Sequence, residues 1–127
     1  FLYFRYMKND KLSMYFLAEP NDVNYSGNVH GGKVMKWIDE IGYALSVQFT
    51  KKYCVTKLVD DIEFLKPIHI GDLVNLEAKI IKVGKTSLRI KIDVSSTNLI
   101  KNKSKKNCEC FIVFVAVDEK GNKASIE

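Results

Sequence analysis

The residues able to do chemistry crowd into one stretch, 20–42, reading PNDVNYSGNVHGGKVMKWIDEIG. It joins the carboxamides Asn24 and Asn28 to a glycine pair, Gly31-Gly32, and then to the acids Asp39 and Glu40. An ionised carboxylate can take a proton from water or attack a carbonyl itself, and the stretch leaves both routes open. A carboxamide such as Asn24 can orient the water or the carbonyl. Backbone N–H groups at a helix start have no intrahelical acceptor, so those near Gly31 and Gly32 could receive a developing negative charge. Together these parts suit water attack on an activated carbonyl, with no serine or cysteine nucleophile. Taken singly, Asp39 and Glu40 would be ordinary surface acids. Their company gives Asp39 its weight.

The remaining reactive side chains carry less. Cys54, Cys108 and Cys110 are an odd number, and Cys108-x-Cys110 would share one face of a strand. A metal would need histidine or cysteine partners nearby, and His30 and His69 stand apart, so no metal site is expected. Reduced thiols in a cytoplasmic protein are the expectation, with Cys54 serving packing. His30 precedes the helix start, where it would contact a substrate or else cap or pack the helix. His69 is expected on the surface.

These residues must be positioned by elements legible in the pattern. Residues 11–18 are short and aromatic and end at Glu19-Pro20, so they read as a strand. The polar run 20–30 reads as a long loop. From Gly31 apolar residues recur every three or four positions (Val34, Met35, Ile38, Ile41, Leu45, Phe49), marking one face of a helix to about Lys52. Gly42 lies on that face in mid-helix, where close packing against something broad and flat is the expected reason. Strands follow over 54–65, 73–83, 85–95 and 107–118. Gly84 separates the middle pair, and a lysine-rich turn over 98–106 precedes the last. One strand, one long helix and four further strands make an α+β domain, the helix covering one face of a curved antiparallel sheet. Strands this apolar would leave a monomer exposed, so self-association is expected.

Composition narrows the function classes. A chain of 127 residues holds one domain and is large enough to fold without disulfides or metal. Its formal charge of +5 comes from lysines, with only Arg5 and Arg89 as arginines, and no arginine forks or aromatic platforms cluster. No nucleic-acid partner is expected. The longest apolar runs, 111–117 and 15–18, are far too short to span a membrane, and none is expected as a partner. Met7, followed by Lys8 and Asn9, looks like a natural start. Residues 1–10 are therefore expected to be an N-terminal extension, partly vector- or gene-model-derived, ahead of a single domain over 11–127.

The stretch 20–42 resembles the hotdog-fold acyl-CoA thioesterases, in the branch of bacterial acyl-CoA hydrolases and the brain-type cytosolic acyl-CoA hydrolase. Shared positions are Pro20, Asp22, Asn24, Gly27, Asn28, Gly31 and Gly32, continuing through VMKWIDE to Asp39 and Glu40. Val55-Thr56, the run VDDIEFLKP over 59–67, Gly71-Asp72, GKTS over 84–87 and FVAVD over 114–118 extend the likeness in order and spacing. The resemblance implies a hotdog fold, a long central helix wrapped by a five-stranded antiparallel sheet. It implies homodimers, joined further as trimers of dimers, with active sites at the dimer interface. It implies Asp39 as catalytic carboxylate and Asn24 as catalytic asparagine, contributed by different subunits. The substrate would be acyl-CoA, hydrolysed to fatty acid and CoA, with no cofactor beyond the CoA that the substrate carries.

The phosphates of CoA call for a rim of exposed positive charge. Lys66 and Lys85, the latter beside Thr86 and Ser87, are the candidates, with the lysines of 101–106 as competitors. His30 and Asn28 complete the expected substrate-binding set. Two other activities compete. A hotdog dehydratase or hydratase would use Asp22-Val23-Asn24 with a histidine close behind, but the next histidine is His30 and Asp39 would then have no role. A non-catalytic acyl-CoA-binding hotdog protein would lack Asp39 or Asn24, and both are present.

Overall fold

The computed structural model describes residues 10–126. The expected N-terminal extension therefore lies outside the described residues, apart from Asp10. The chain forms β1 (Lys11–Leu17), a 3-10 turn (Pro20–Asp22), α1 (Gly31–Thr50), β2 (Cys54–Phe64), β3 (Leu73–Val83), β4 (Ser87–Asn98) and β5 (Lys103–Ala116). The strands make one antiparallel sheet in the order β1-β3-β4-β5-β2. α1 lies across one face of it, which is the hotdog arrangement.

The packing follows from period. α1 buries Val34, Ile38, Ile41, Leu45 and Thr50, one stripe of a 3.6-residue repeat. β4 alternates cleanly, with Leu88, Ile90, Ile92 and Val94 under the helix and Arg89, Lys91 and Asp93 on the opposite face. Gly42 meets the broad, flat neighbour its position called for. A Cβ there would stand 2.6 Å from Cε1 of the buried Phe114 ring. The helix ends at Lys51, which adopts a left-handed conformation with φ 60° and closes the last turn onto Val47.

Three expectations need correction. The segment 20–30 is more ordered than a plain loop. Glu19 and Asp22 cap the 3-10 turn reciprocally, and Val23 bridges to Val29. β4 begins at Ser87 instead of Lys85, because Gly84 N–H donates to Ser87 O at 2.7 Å and the tight turn uses the residues between. β5 begins at Lys103, so much of the lysine-rich run is strand. Cross-strand pairing with β4 overrides its polar composition, and only residues 99–102 turn.

Candidate active site

Asp39 lies on the exposed side of α1, two turns from its start, facing β2. Thr56 Oγ1 donates a hydrogen bond to Asp39 Oδ1 at 2.5 Å. The other carboxylate oxygen has no hydrogen-bond partner among the described residues, and Asp39 is itself exposed. Thr56 was not among the expected site residues. Its signal in the sequence was the Val55-Thr56 pair that extends the family likeness.

Asn24 is held by an Asx-type turn. Its Oδ1 accepts from Ser26 N at 2.9 Å, Ser26 Oγ at 2.8 Å and Asn28 N at 3.2 Å. Gly27, at φ +87°, lets the chain reverse there, a conformation that favours glycine. With Oδ1 engaged three times, the Nδ2 group is what Asn24 can present to a ligand. Asn28 Oδ1 pairs with His69 Nδ1 at 3.0 Å, and the backbones of the two residues bridge. His69 is exposed, as expected, but it also fixes the loop that carries Asn24. Because the partner is a carbonyl oxygen, this contact requires a proton on Nδ1.

The helix start is open. His30 is its N-cap by backbone position, yet its side chain makes no capping bond and is exposed. The capping role weighed from sequence is therefore absent, and the ring is available to solvent. Lys33 N and Val34 N return to His30 O at 3.0 and 3.1 Å, while the N–H groups of Gly31 and Gly32 have no acceptor among the described residues. Among the described residues no packing contact requires either glycine. A Cβ on Gly32 would meet nothing within 4 Å, and one on Gly31 only the Phe64 ring at 3.8 Å. Glycine there weakens the helix and leaves room beside the free N–H groups. Beside Gly31 opens a cavity of about 340 Å³, with a wall that includes Val34, Phe64, Ile68 and Lys66.

The expected CoA-binding residues do not gather in one chain. Lys66 follows β2 at the sheet end where α1 starts, its N–H directed at Asn107 O. Lys85 and Thr86 form the β3–β4 turn at the opposite end, with Ser87 opening β4, near Ala116 and Ile126. Along β4 that separation is roughly 25 Å. Among the described residues no group of three or more His, Cys, Asp or Glu side chains is placed to hold a metal ion, and no helix is long and apolar enough to cross a membrane. All three cysteines are free and buried, and burial raises each thiol's pKa, that of Cys110 to about 12.

Residues 26–100, more than half of the chain, match the profile of the thioesterase superfamily. The chain belongs to this superfamily. It is 32% identical over 108 residues to protein VdlD of Helicobacter pylori, covering 85% of this chain and 62% of VdlD. It thus spans less than two-thirds of that relative's length. A structure of acyl-CoA hydrolase from Staphylococcus aureus, in complex with butyryl coenzyme A, coenzyme A and coenzyme A disulfide, superposes with a TM-score of 0.86. Its identity is 27%, covering 94% of this chain and 73% of that one. A hexameric thioesterase from Yersinia pestis gives a TM-score of 0.85 and 32% identity, covering 90% of this chain and 93% of that one. Solved variants of the S. aureus enzyme carry alanine in place of an asparagine, an aspartate and a threonine. Their spacing along that chain equals the spacing of Asn24, Asp39 and Thr56 here.

Proposed function

We propose that this chain is an acyl-CoA thioesterase, a single domain over 11–127 that hydrolyses acyl-CoA to a carboxylic acid and CoA. One observation carries the activity: a carboxylate anchored by Thr56, its other oxygen unpartnered among the described residues, on a helix whose glycine start leaves two N–H donors free. Water adds to the thioester carbonyl, its proton passing to Asp39, and the oxyanion is stabilised by the Gly31 and Gly32 N–H groups. Collapse of the tetrahedral intermediate expels the CoA thiolate, which takes up a proton. If Asp39 attacks instead, a mixed anhydride forms and water then hydrolyses it. After one turnover in ¹⁸O-water, label in Asp39 marks the anhydride route with hydrolysis at the aspartyl carbon.

The complete site needs two chains. From Gly31 to Asp39 is roughly 12 Å along the helix, and the free N–H groups point outward, away from Asp39. A base, one water and an oxyanion donor span no more than about 9 Å. Asp39 therefore cannot serve a carbonyl seated on its own helix start, which supports a site pairing it with Asn24, Gly31 and Gly32 of a second copy. β2 is an edge strand with Val55, Leu58 and Phe64 exposed along it, a surface suited to such pairing. We place the pairs in a trimer of dimers, in keeping with the hexameric Yersinia relative. His30 and Asn28 flank the substrate, Lys66 steers its phosphates, and Lys85, Thr86 and Ser87 could join them only as the partner's Lys85, the partner's Thr86 and the partner's Ser87. A cytoplasmic location accords with three unpaired thiols.

The test is release of free CoA from a panel of acyl-CoAs, followed with a thiol-reactive dye. Release that depends on Asp39 supports the activity. A dehydratase would change the acyl chain and leave the thioester intact, and a binding protein would leave both unchanged.

A further inference from the structure

The β4–β5 hairpin ends in a pair of residues that its turn does not need. Residues 98–103 extend past both neighbouring strands, because β3 pairs with β4 only as far as Thr97 and β2 pairs with β5 only as far as Cys108. The stem is held firmly. At its base β5 bulges at Asn107, left out between the pairs Val94↔Cys108 and Ser95↔Lys106, and that side chain is turned in and buried. Its Nδ2 donates to Lys66 O at 3.2 Å and to Pro67 O at 3.0 Å. Higher up, the Thr97 and Ser104 hydroxyls bond across the stem at 2.6 Å, and Lys101 N donates to Asn98 Oδ1 at 3.0 Å. Asn102, at φ 53°, completes the reversal.

Turns favour asparagine, glycine and serine, whose side chains bond locally or tolerate the left-handed region. Here the tip instead holds Leu99, 56% exposed, and Ile100, 98% exposed. Single exposed aliphatic residues are ordinary, but this pair is adjacent and projects in a positive setting. Lys101, Lys103 and Lys105 follow it, and no acid occurs from 95 to 108. Lys103 and Lys105 fall on one face of the strand. Lys106 is ion-paired, to Asp93 at 3.1 Å and to Glu109, whereas Lys101, Lys103 and Lys105 have no acidic partner among the described residues.

An apolar tip beside unpaired lysines complements an anionic bilayer, whose headgroups attract the lysines while the acyl boundary accepts the aliphatic pair. A second copy of the hairpin would set lysines against lysines. Nucleic acid would supply phosphates but would bind through stacking on aromatic residues, which this tip lacks. That no described helix can cross a membrane concerns crossing, and docking needs no span. We infer that the 98–103 tip docks this protein onto anionic lipid bilayers, with Leu99 and Ile100 entering the interface and Lys101, Lys103 and Lys105 at the headgroups. Lys66 N–H reaches Asn107 O, so the tip lies at the sheet end where α1 starts, and docking brings Gly31, Gly32 and their cavity towards the membrane. The docking does not depend on the activity proposed above.

The full chain is sedimented with vesicles of phosphatidylcholine, alone or mixed equally with phosphatidylglycerol. It should bind the mixed vesicles, ignore the neutral ones, and release as salt rises. Lys101→Gln, Lys103→Gln and Lys105→Gln together should lower the partition constant roughly a hundredfold, about fivefold for each lysine near the surface. Leu99→Ser with Ile100→Ser, every lysine kept, should lower it at least about tenfold. Lys120→Gln with Lys123→Gln, at the opposite end of the sheet, should leave it within about twofold. Unchanged urea midpoints verify that these surface variants fold. No binding to the mixed vesicles, binding undiminished without the aliphatic pair, or an equal loss in the opposite-end variant overturns the inference. So does native mass spectrometry showing that Leu99→Ser with Ile100→Ser dissolves the assembly, which would place the tip between copies.

Discussion

Separating Asp39 from the oxyanion donors of its own helix makes a quantitative claim about mixed assemblies. Asn24→Ala and Asp39→Ala proteins should each be inactive, general base catalysis alone contributing about 10²- to 10⁴-fold. Mixed in equal amounts, unfolded and refolded together, they should form mixed pairs in about half of the dimers. Each mixed pair holds one site with both residues altered and one with Asn24 and Asp39 both intact. About one quarter of wild-type CoA release should return. A site contained within one chain would return none, since every chain lacks one residue. The reverse mixture gives an independent number. Wild type mixed with an equal amount of protein altered at both positions should show, per total protein, about one quarter of wild-type activity if sites are shared and about one half if they are not. Native mass spectrometry establishes that mixed species form. Mixed dimers in hand with no recovered activity, or half the activity retained in the dilution, would refute the two-chain geometry.

Thr56→Val keeps the side chain's shape but removes the donor to Asp39. A bond to a charged group is worth about 1.5–3 kcal/mol, so kcat should drop about ten- to a hundredfold with KM nearly constant; a shift in KM alone would mean Thr56 only supports substrate binding. Gly42→Ala gains about 1 kcal/mol of helix propensity. It nevertheless sets a Cβ 2.6 Å from the Phe114 ring. Overpacking of about 1–3 kcal/mol should win, lowering the urea midpoint, and a raised midpoint would contradict the packing described. Burial, then the neighbouring Cys108, raises Cys110 to about 12, and burial raises Cys54 and Cys108 too. The native protein should therefore show no fast thiol signal at pH 8, while the denatured chain shows three per molecule. These thiols favour the native state below their ordinary value of 9.0, and the contribution is lost as pH rises towards 12, because unfolded chains ionise first. A pH titration of the urea midpoint, compared with Cys110→Ala, checks that sign.

What could be read from the chain alone was what local pattern encodes. The 3.6-residue period of Val34, Ile38, Ile41 and Leu45 and the alternation in β4 determine which faces are buried, because side-chain direction repeats with the backbone. The order Asn24, Gly31-Gly32, Asp39 brings candidate groups within a single loop and helix, and Gly42 announces a flat neighbour before that neighbour is known. Tertiary structure decided everything that depends on chain reversal. Thr56 reaches Asp39 only because β2 returns beside the helix, and His69 reaches Asn28 from another turn altogether. Lys66 and Lys85 look alike as exposed lysines beside turns, yet hairpin geometry sends them to opposite ends of the sheet. Asn107 is the sharpest case: alternation turns it outward, and one extra residue in the pairing with β4 turns it in. A register slip of one residue leaves no mark on composition or period, since it arises from how two strands match.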